Sequence, residues 1–254
     1  MNNQCRNGLS GFLSGLTLFG LLAVGAPAAH AVPSLQLDIA GGWYDTATQT
    51  VMTQRDTFTV YALIDTTARP GSAPSLTDTY YLSVALEPLT SAAADLGSFS
   101  VNGTLVNVTS GMTFGTPPIE GLTATFDQGD LAPHGMYPTF FREFAFTFGS
   151  LNTAGIYNTA VNPGGITSHL GGTGLLYAAF QVDRSLMNSA YSLHFDLYSE
   201  KFRSGDIDAN YYAPFTNDAG TTVRGVPEPS TALLMGAGLL GVGLWQRRRA
   251  SQSV

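Results

Sequence analysis

Tyr191-Ser192-Leu193-His194-Phe195-Asp196-Leu197-Tyr198 alternates apolar and polar side chains. That period of two is the mark of a strand with one face in a core and the other turned to water. Working outward, the same period recurs in Thr57 to Asp65, where Phe58, Val60, Ala62 and Ile64 share a face. It recurs again in Tyr80, Leu82, Val84 and Leu86, in Phe144, Phe146 and Phe148, and in Leu176, Ala178, Phe180 and Val182. An opening run places Leu35, Leu37 and Ile39 inward. Helical periodicity is nearly missing. Asn102-Gly103 between two apolar runs is a strong short-range hairpin signal. Gly and Pro segments at 70–74, 115–118, 133–138 and 162–165 punctuate the rest. The expected fold is all-β, an antiparallel β-sandwich of jelly-roll-like type. The Gly-, Asn- and Thr-rich segment 154–174 reads as an ordered surface loop.

The two ends carry different signals. Residues 1–31 run from a polar start with Arg6, through an apolar stretch from Leu9 to Val24, to Ala29-His30-Ala31. This is the layout of a secretory signal helix, delivered to a Sec translocon and cut by signal peptidase. Ala29 and Ala31 supply the small side chains, and cleavage is expected after Ala31. At the other end, residues 226–254 form a tail in three parts. Val226-Pro227-Glu228-Pro229-Ser230-Thr231 is a stiff, extended handle, because the prolines deny it helix hydrogen bonds. Residues 232–245 are apolar and rich in glycine, and read as a single transmembrane helix. Residues 246–254 hold Arg247, Arg248 and Arg249, which the positive-inside rule keeps in the cytoplasm. A helix of that length rises about 21 Å against roughly 30 Å of hydrocarbon, which suits a temporary anchor better than a permanent one.

The run VPEPST, the short glycine-rich helix and the terminal Arg cluster together resemble a PEP-CTERM sorting signal. The resemblance implies recognition by exosortase, a membrane-embedded cysteine peptidase, in a Gram-negative bacterium whose secretion is linked to exopolysaccharide. It also implies an inner-membrane-anchored intermediate facing the periplasm, whose tail is removed at or near the motif. The stretch between the ends, residues 32–225, reads as one domain. Its features LQLDIAGGWYD (35–45), DTFTVYALI (56–64), DLGSFSVNGT (95–104), FGTPPIEG (114–121), DLAPHGMYPTFFREFAFTF (130–148), YAAFQVD (177–183), YSLHFDLY and YYAPFTNDAG (211–220) resemble the choice-of-anchor N proteins. That family brings alternative C-terminal anchors and no assigned biochemical role.

Charge and cysteine usage exclude several functions. The domain has seven basic residues (Arg55, Arg69, Arg142, Arg184, Lys201, Arg203, Arg224) against 17 acidic ones, a net charge near −10. Such a surface repels nucleic-acid phosphates. The only cysteine, Cys5, lies in the signal segment, so the exported domain carries no thiol chemistry and no disulfide.

Few residues announce chemistry. No Gly-x-Ser-x-Gly elbow is present. Carboxylate pairs such as Glu120 with Asp127, or Glu143 with Asp196, have no spacing that selects them. The domain is therefore expected to be noncatalytic. His134 lies in a turn-like stretch, His169 in the long loop, and His194 alternates with Leu193 and Phe195, so it is expected to face solvent. None has the i, i+4 partner of a helical zinc site, although a zinc site assembled in three dimensions stays open. Asp206, Asp208 and Asn210 recur at every second residue and could give Ca2+ three hard oxygens, with Asp218 as an extra ligand. The same run equally reads as a polar edge strand with Ile207 turned to the core. Plentiful aromatic residues, Trp43 and the Tyr211-Tyr212 pair among them, could stack on sugar rings. Three functions thus stand open: a noncatalytic surface or matrix protein associated with exopolysaccharide, a calcium-assisted carbohydrate-binding module, and a secreted hydrolase.

Overall fold

The computed structural model describes residues 32–65, 67, 74–118, 131, 134–203 and 206–223. The signal segment and its Ala29 and Ala31 lie outside the described residues. So does the tail, with Val226, Pro227, Glu228, Pro229, Arg247, Arg248, Arg249 and the apolar stretch 232–245. Among the described residues no helix is long and apolar enough to cross a membrane.

The described residues form fourteen strands: β1 (Leu35–Ile39), β2 (Trp43–Asp45), β3 (Thr50–Thr53), β4 (Thr57–Asp65), β5 (Tyr80–Glu87), β6 (Ser98–Val101), β7 (Thr104–Asn107), β8 (Thr113–Gly115), β9 (Thr139–Phe146), β10 (Thr153–Gly155), β11 (Gly174–Asp183), β12 (Ser192–Arg203), β13 (Asp206–Tyr212) and β14 (Asp218–Thr221). Among the described residues these are joined by one short helix, α1 (Ile166–His169), and a 3₁₀ turn, Phe215–Asn217. The strands make two sheets. The first runs β1-β4-β11-β6-β7, with β10 added to β11; the second runs β2-β3-β14-β12-β5-β9-β8, with β13 added to β12. Among the described residues every strand pairing is antiparallel except β14 with β3, so the expected antiparallel pattern holds there with one parallel exception.

Alternation predicts the inner faces well. Leu35, Leu37 and Ile39 of β1, Phe58, Val60, Ala62 and Ile64 of β4, and Phe180 and Val182 of β11 meet Leu82, Val84 and Leu86 of β5 and Leu193, Phe195 and Leu197 of β12 in one buried core. Phe58 and Phe195 touch edge to face across it, centroids 6.0 Å apart. Burying that much apolar area between two sheets is the main stabilising term, at roughly 25 cal/mol per Å². The Asn102-Gly103 turn also forms as expected. Both residues take positive φ (48° and 79°), which matches the twist of the β6–β7 hairpin.

Parts of the outer faces depart from the expectation of a wet surface, while others, such as Thr57 and Gln181, are exposed. On β1, Gln36 and Asp38 point away from the core yet are fully buried. The loop expected at 154–174 covers them, contributing β10 and α1 on the way. Gln36 Nε2 donates to the Tyr157 carbonyl at 2.8 Å, and its Oε1 accepts from Thr159 N–H at 3.0 Å. Tyr157, Ile166, Ala154, Leu63 and Leu175 form a second apolar cluster there. The second sheet is roofed in the same way, around β12.

Candidate metal centre

Strand β12 sits in the interior of the second sheet, between β5 and β14. Its pleat sends Leu193, Phe195 and Leu197 into the core and His194, Asp196 and Tyr198 to the other face. Segment 134–138 and the Phe215–Asn217 turn fold over that face. His194 is consequently 4% exposed and Asp196 3%, which corrects the expectation of a solvent-facing His194: a strand's period tells which face a side chain takes, not what covers it.

Three chain segments bring four donors together. His134 comes from the β8–β9 connection and is held by ring stacking on Phe215, centroids 4.2 Å apart and planes at 11°. His194 and Asp196 come from β12, and Asp218 from β14, the neighbouring strand. His134 Nε2 lies 3.1 Å from Asp196 Oδ1, and His194 Nε2 lies 3.3 Å from the same oxygen. The two Nε2 atoms are 3.4 Å apart. His194 Nε2 is also 3.8 Å from Asp218 Oδ2. One ligand atom from each of the four residues lies within 4.8 Å of all the others. The other Asp196 oxygen, Oδ2, accepts from the Tyr137 hydroxyl at 2.5 Å. Tyr137 is within 3.2 Å of Ser83 Oγ. This bond fixes the carboxylate so that Oδ1 faces the histidines, as outer partners of metal ligands commonly do.

The groups are tuned in opposite directions. Burial pushes the Asp196 carboxyl up, but the charge of His194 and hydrogen bonds from both histidines outweigh it and hold it below the usual carboxylate range. Burial pulls His194 down, yet Asp196 and then Glu87 lift it above its ordinary value. Asp218 has no such support. It is 1% exposed, and neither oxygen has a hydrogen-bond partner. Burial first, and the Asp196 charge second, raise its carboxyl well above the ordinary value. A buried carboxyl with no donor is costly. A cleft of about 370 Å³, lined also by Thr50, Glu87, Met136 and Phe215, opens over the group.

The candidates singled out in the sequence are distributed differently. Asp206, Asp208 and Asn210 lie along β13, paired with β12 through Arg203↔Asp206 and Lys201↔Asp208. An extended backbone sets alternate residues about 6.7 Å apart, so the strand spreads Asp206 and Asp208 along its length, Asn210 falls at the register shift opposite Ser199 and Glu200, and Asp218 belongs to the histidine group on β14. His169 ends α1, where its ring stacks on Tyr157 and its Nδ1 lies 2.9 Å from the Gly165 carbonyl. Glu143 pairs with the Tyr198 hydroxyl. The readable signal for the histidine group was His194-x-Asp196, two donors on one face of one strand. His134 and Asp218, 60 residues before and 24 after His194, had no local signature.

Residues 225–249 match the family model of the PEP-CTERM protein-sorting motif. No curated protein and no solved structure matches the chain. The motif marks an exosortase-targeted extracellular protein that is exported and held as a membrane-anchored intermediate before processing.

Proposed function

We propose that the mature chain is a noncatalytic surface or matrix protein of a Gram-negative bacterium. Exosortase frees it from the inner membrane, and its β-sandwich then associates with exopolysaccharide. The observation that carries this reading is the sorting motif at residues 225–249, whose Pro-flanked Glu228, short apolar stretch and Arg cluster stand in the order that presentation to a membrane peptidase requires. The sugar association is supported by a groove of about 320 Å³ beside the β12–β13 hairpin. There Tyr81 and Phe202 stand with Asp78, Glu200 and Lys201, and Phe202 is 76% exposed. Aromatic faces flanked by polar groups suit a pyranose, which offers an apolar face and a hydroxyl rim.

The test is expression in the native host with and without its exosortase, followed by intact-mass measurement of extracellular and membrane fractions. Export should yield an extracellular form lacking the Arg cluster, and deletion of the peptidase or Glu228→Ala should leave a longer, membrane-held form. An extracellular protein that still carries Arg249 overturns the processing step. Co-sedimentation with purified exopolysaccharide should weaken in Phe202→Ala, and unchanged binding there removes the groove from the argument.

A further inference from the structure

We propose that His134, His194, Asp196 and Asp218 bind one divalent transition-metal ion of the zinc class at the floor of the cleft between segment 134–138 and strands β12 and β14. Three independent observations converge on it. The first is spacing. Ligand atoms around a tetrahedral zinc with bonds of about 2.0–2.1 Å stand about 3.3–3.4 Å from one another. Four of the six separations are 3.1, 3.3, 3.4 and 3.8 Å, and all six lie within 4.8 Å, close enough for one ion to draw the four atoms in.

The second is that hydrogen bonding alone leaves the group unsatisfied. The Nε2 of His194 holds at most one proton, yet His134 Nε2, Asp196 Oδ1 and Asp218 Oδ2 all crowd it. Both histidines donating to Asp196 would account for two of these contacts. They would leave two N–H groups facing each other and Asp218 with no donor at either oxygen. A cation among the four atoms satisfies all of them at once, and its charge answers two buried carboxylates.

The third is donor chemistry. Two imidazoles and two carboxylates form a borderline set that suits zinc, whereas calcium takes six to eight oxygens. Four protein ligands close the coordination shell, which is the pattern of a structural ion rather than one that activates water. The ion would tie the roof over the second sheet to β12 and β14, a cross-link in a domain whose exported part has no cysteine.

The experiment uses the processed protein recovered from the exporting host. Metal content by mass spectrometry should give one zinc-class ion per chain, and Co2+ loaded in its place should show the visible bands of a tetrahedral site. Zn2+ titration of chelator-treated protein should raise the melting temperature, and Ca2+ should not. His194→Ala and the near-isosteric Asp218→Asn should each weaken Zn2+ binding more than about 100-fold, since even an outer-partner change costs 10–100-fold. If His194→Ala does not fold, Asp218→Asn decides: without metal it should be as stable as the wild type or more so, because it removes a buried unpartnered carboxyl, and it should lose the Zn2+-dependent rise. Asp208→Ala should keep the ion. An absence of bound ion together with no response to Zn2+, an octahedral Co2+ spectrum, a response to Ca2+ alone, or loss of the ion in Asp208→Ala would each overturn the site.

Discussion

Asp38→Ala probes the roof over the first sheet. The Asp38 carboxyl is fully buried and accepts four hydrogen bonds: Oδ1 from Ile39 N–H at 2.9 Å and Gly164 N–H at 2.7 Å, Oδ2 from the Tyr157 hydroxyl at 2.7 Å and Ile166 N–H at 3.0 Å. Truncation leaves three backbone N–H groups and one hydroxyl without an acceptor in a site that water does not reach. Bonds to a charged group contribute about 1.5–3 kcal/mol each, a gross loss of roughly 6–12 kcal/mol. Against this stands the relief of no longer burying the carboxyl. That cost is visible in its titration, which burial raises above the ordinary value even though the four donors pull it back. A net destabilisation of about 3–5 kcal/mol is expected, the range for breaking a buried charged network. At about 2–4 °C per kcal/mol for a domain of this size, the melting temperature should fall by roughly 6–20 °C. Thermal unfolding by circular dichroism measures it, and hydrogen exchange should show segment 156–166 losing protection before β5 and β12. Asp38→Asn, which keeps one acceptor oxygen, should lose less. A melting temperature within about 2 °C of wild type, with exchange in 156–166 unchanged, would refute the idea that this carboxyl holds the roof down.

Two further substitutions test other joints of the fold. Gly97 has φ +81°, and an added Cβ would lie 2.0 Å from the Leu186 carbonyl oxygen, whereas Gly103 has nearly the same φ (+79°) and open space around it. Gly97→Ala should therefore cost about 3 kcal/mol or more in urea unfolding and Gly103→Ala about 1 kcal/mol, and equal losses would show that backbone strain alone accounts for both. Arg184 is 1% exposed and donates to the carbonyls of Gln54, Arg55 and Thr222 and to Thr221 Oγ1, with Asp56 at 3.7 Å. Arg184→Met keeps much of the volume but strands those oxygens, and should cost about 3–5 kcal/mol; a loss under about 1 kcal/mol in denaturant titration would mean that the network is replaceable by packing.

The inner faces were legible because alternation is local. Tyr191 to Tyr198 shows which side chains share a face, and the same holds for β1, β4, β5 and β11, so the main core between the sheets is readable from the sequence, whereas the second cluster around Tyr157 and Ile166 is not. The short strands β2, β8, β10 and β14 were not readable, because three or four residues are too few to show a period. The Asp206-x-Asp208-x-Asn210 run illustrates the limit from the other side. Its spacing allowed a cation loop or a polar strand, and pairing with β12 made it a strand.

The amino-acid sequence by itself determined the all-β class, the hairpin at Asn102-Gly103 and the sorting motif in residues 225–249, since each is written in neighbouring residues whose chemistry acts at short range. Tertiary structure alone decided which parts of the polar faces are sealed from water. Gln36 and Asp38 are sealed by residues 119 to 128 positions away, and His194 gains His134 and Asp218 from segments that only the sheet order brings near. Periodicity fixes the direction of a side chain, but what covers it depends on long-range chain closure, and that closure is what turns two scattered histidines and two carboxylates into one buried group.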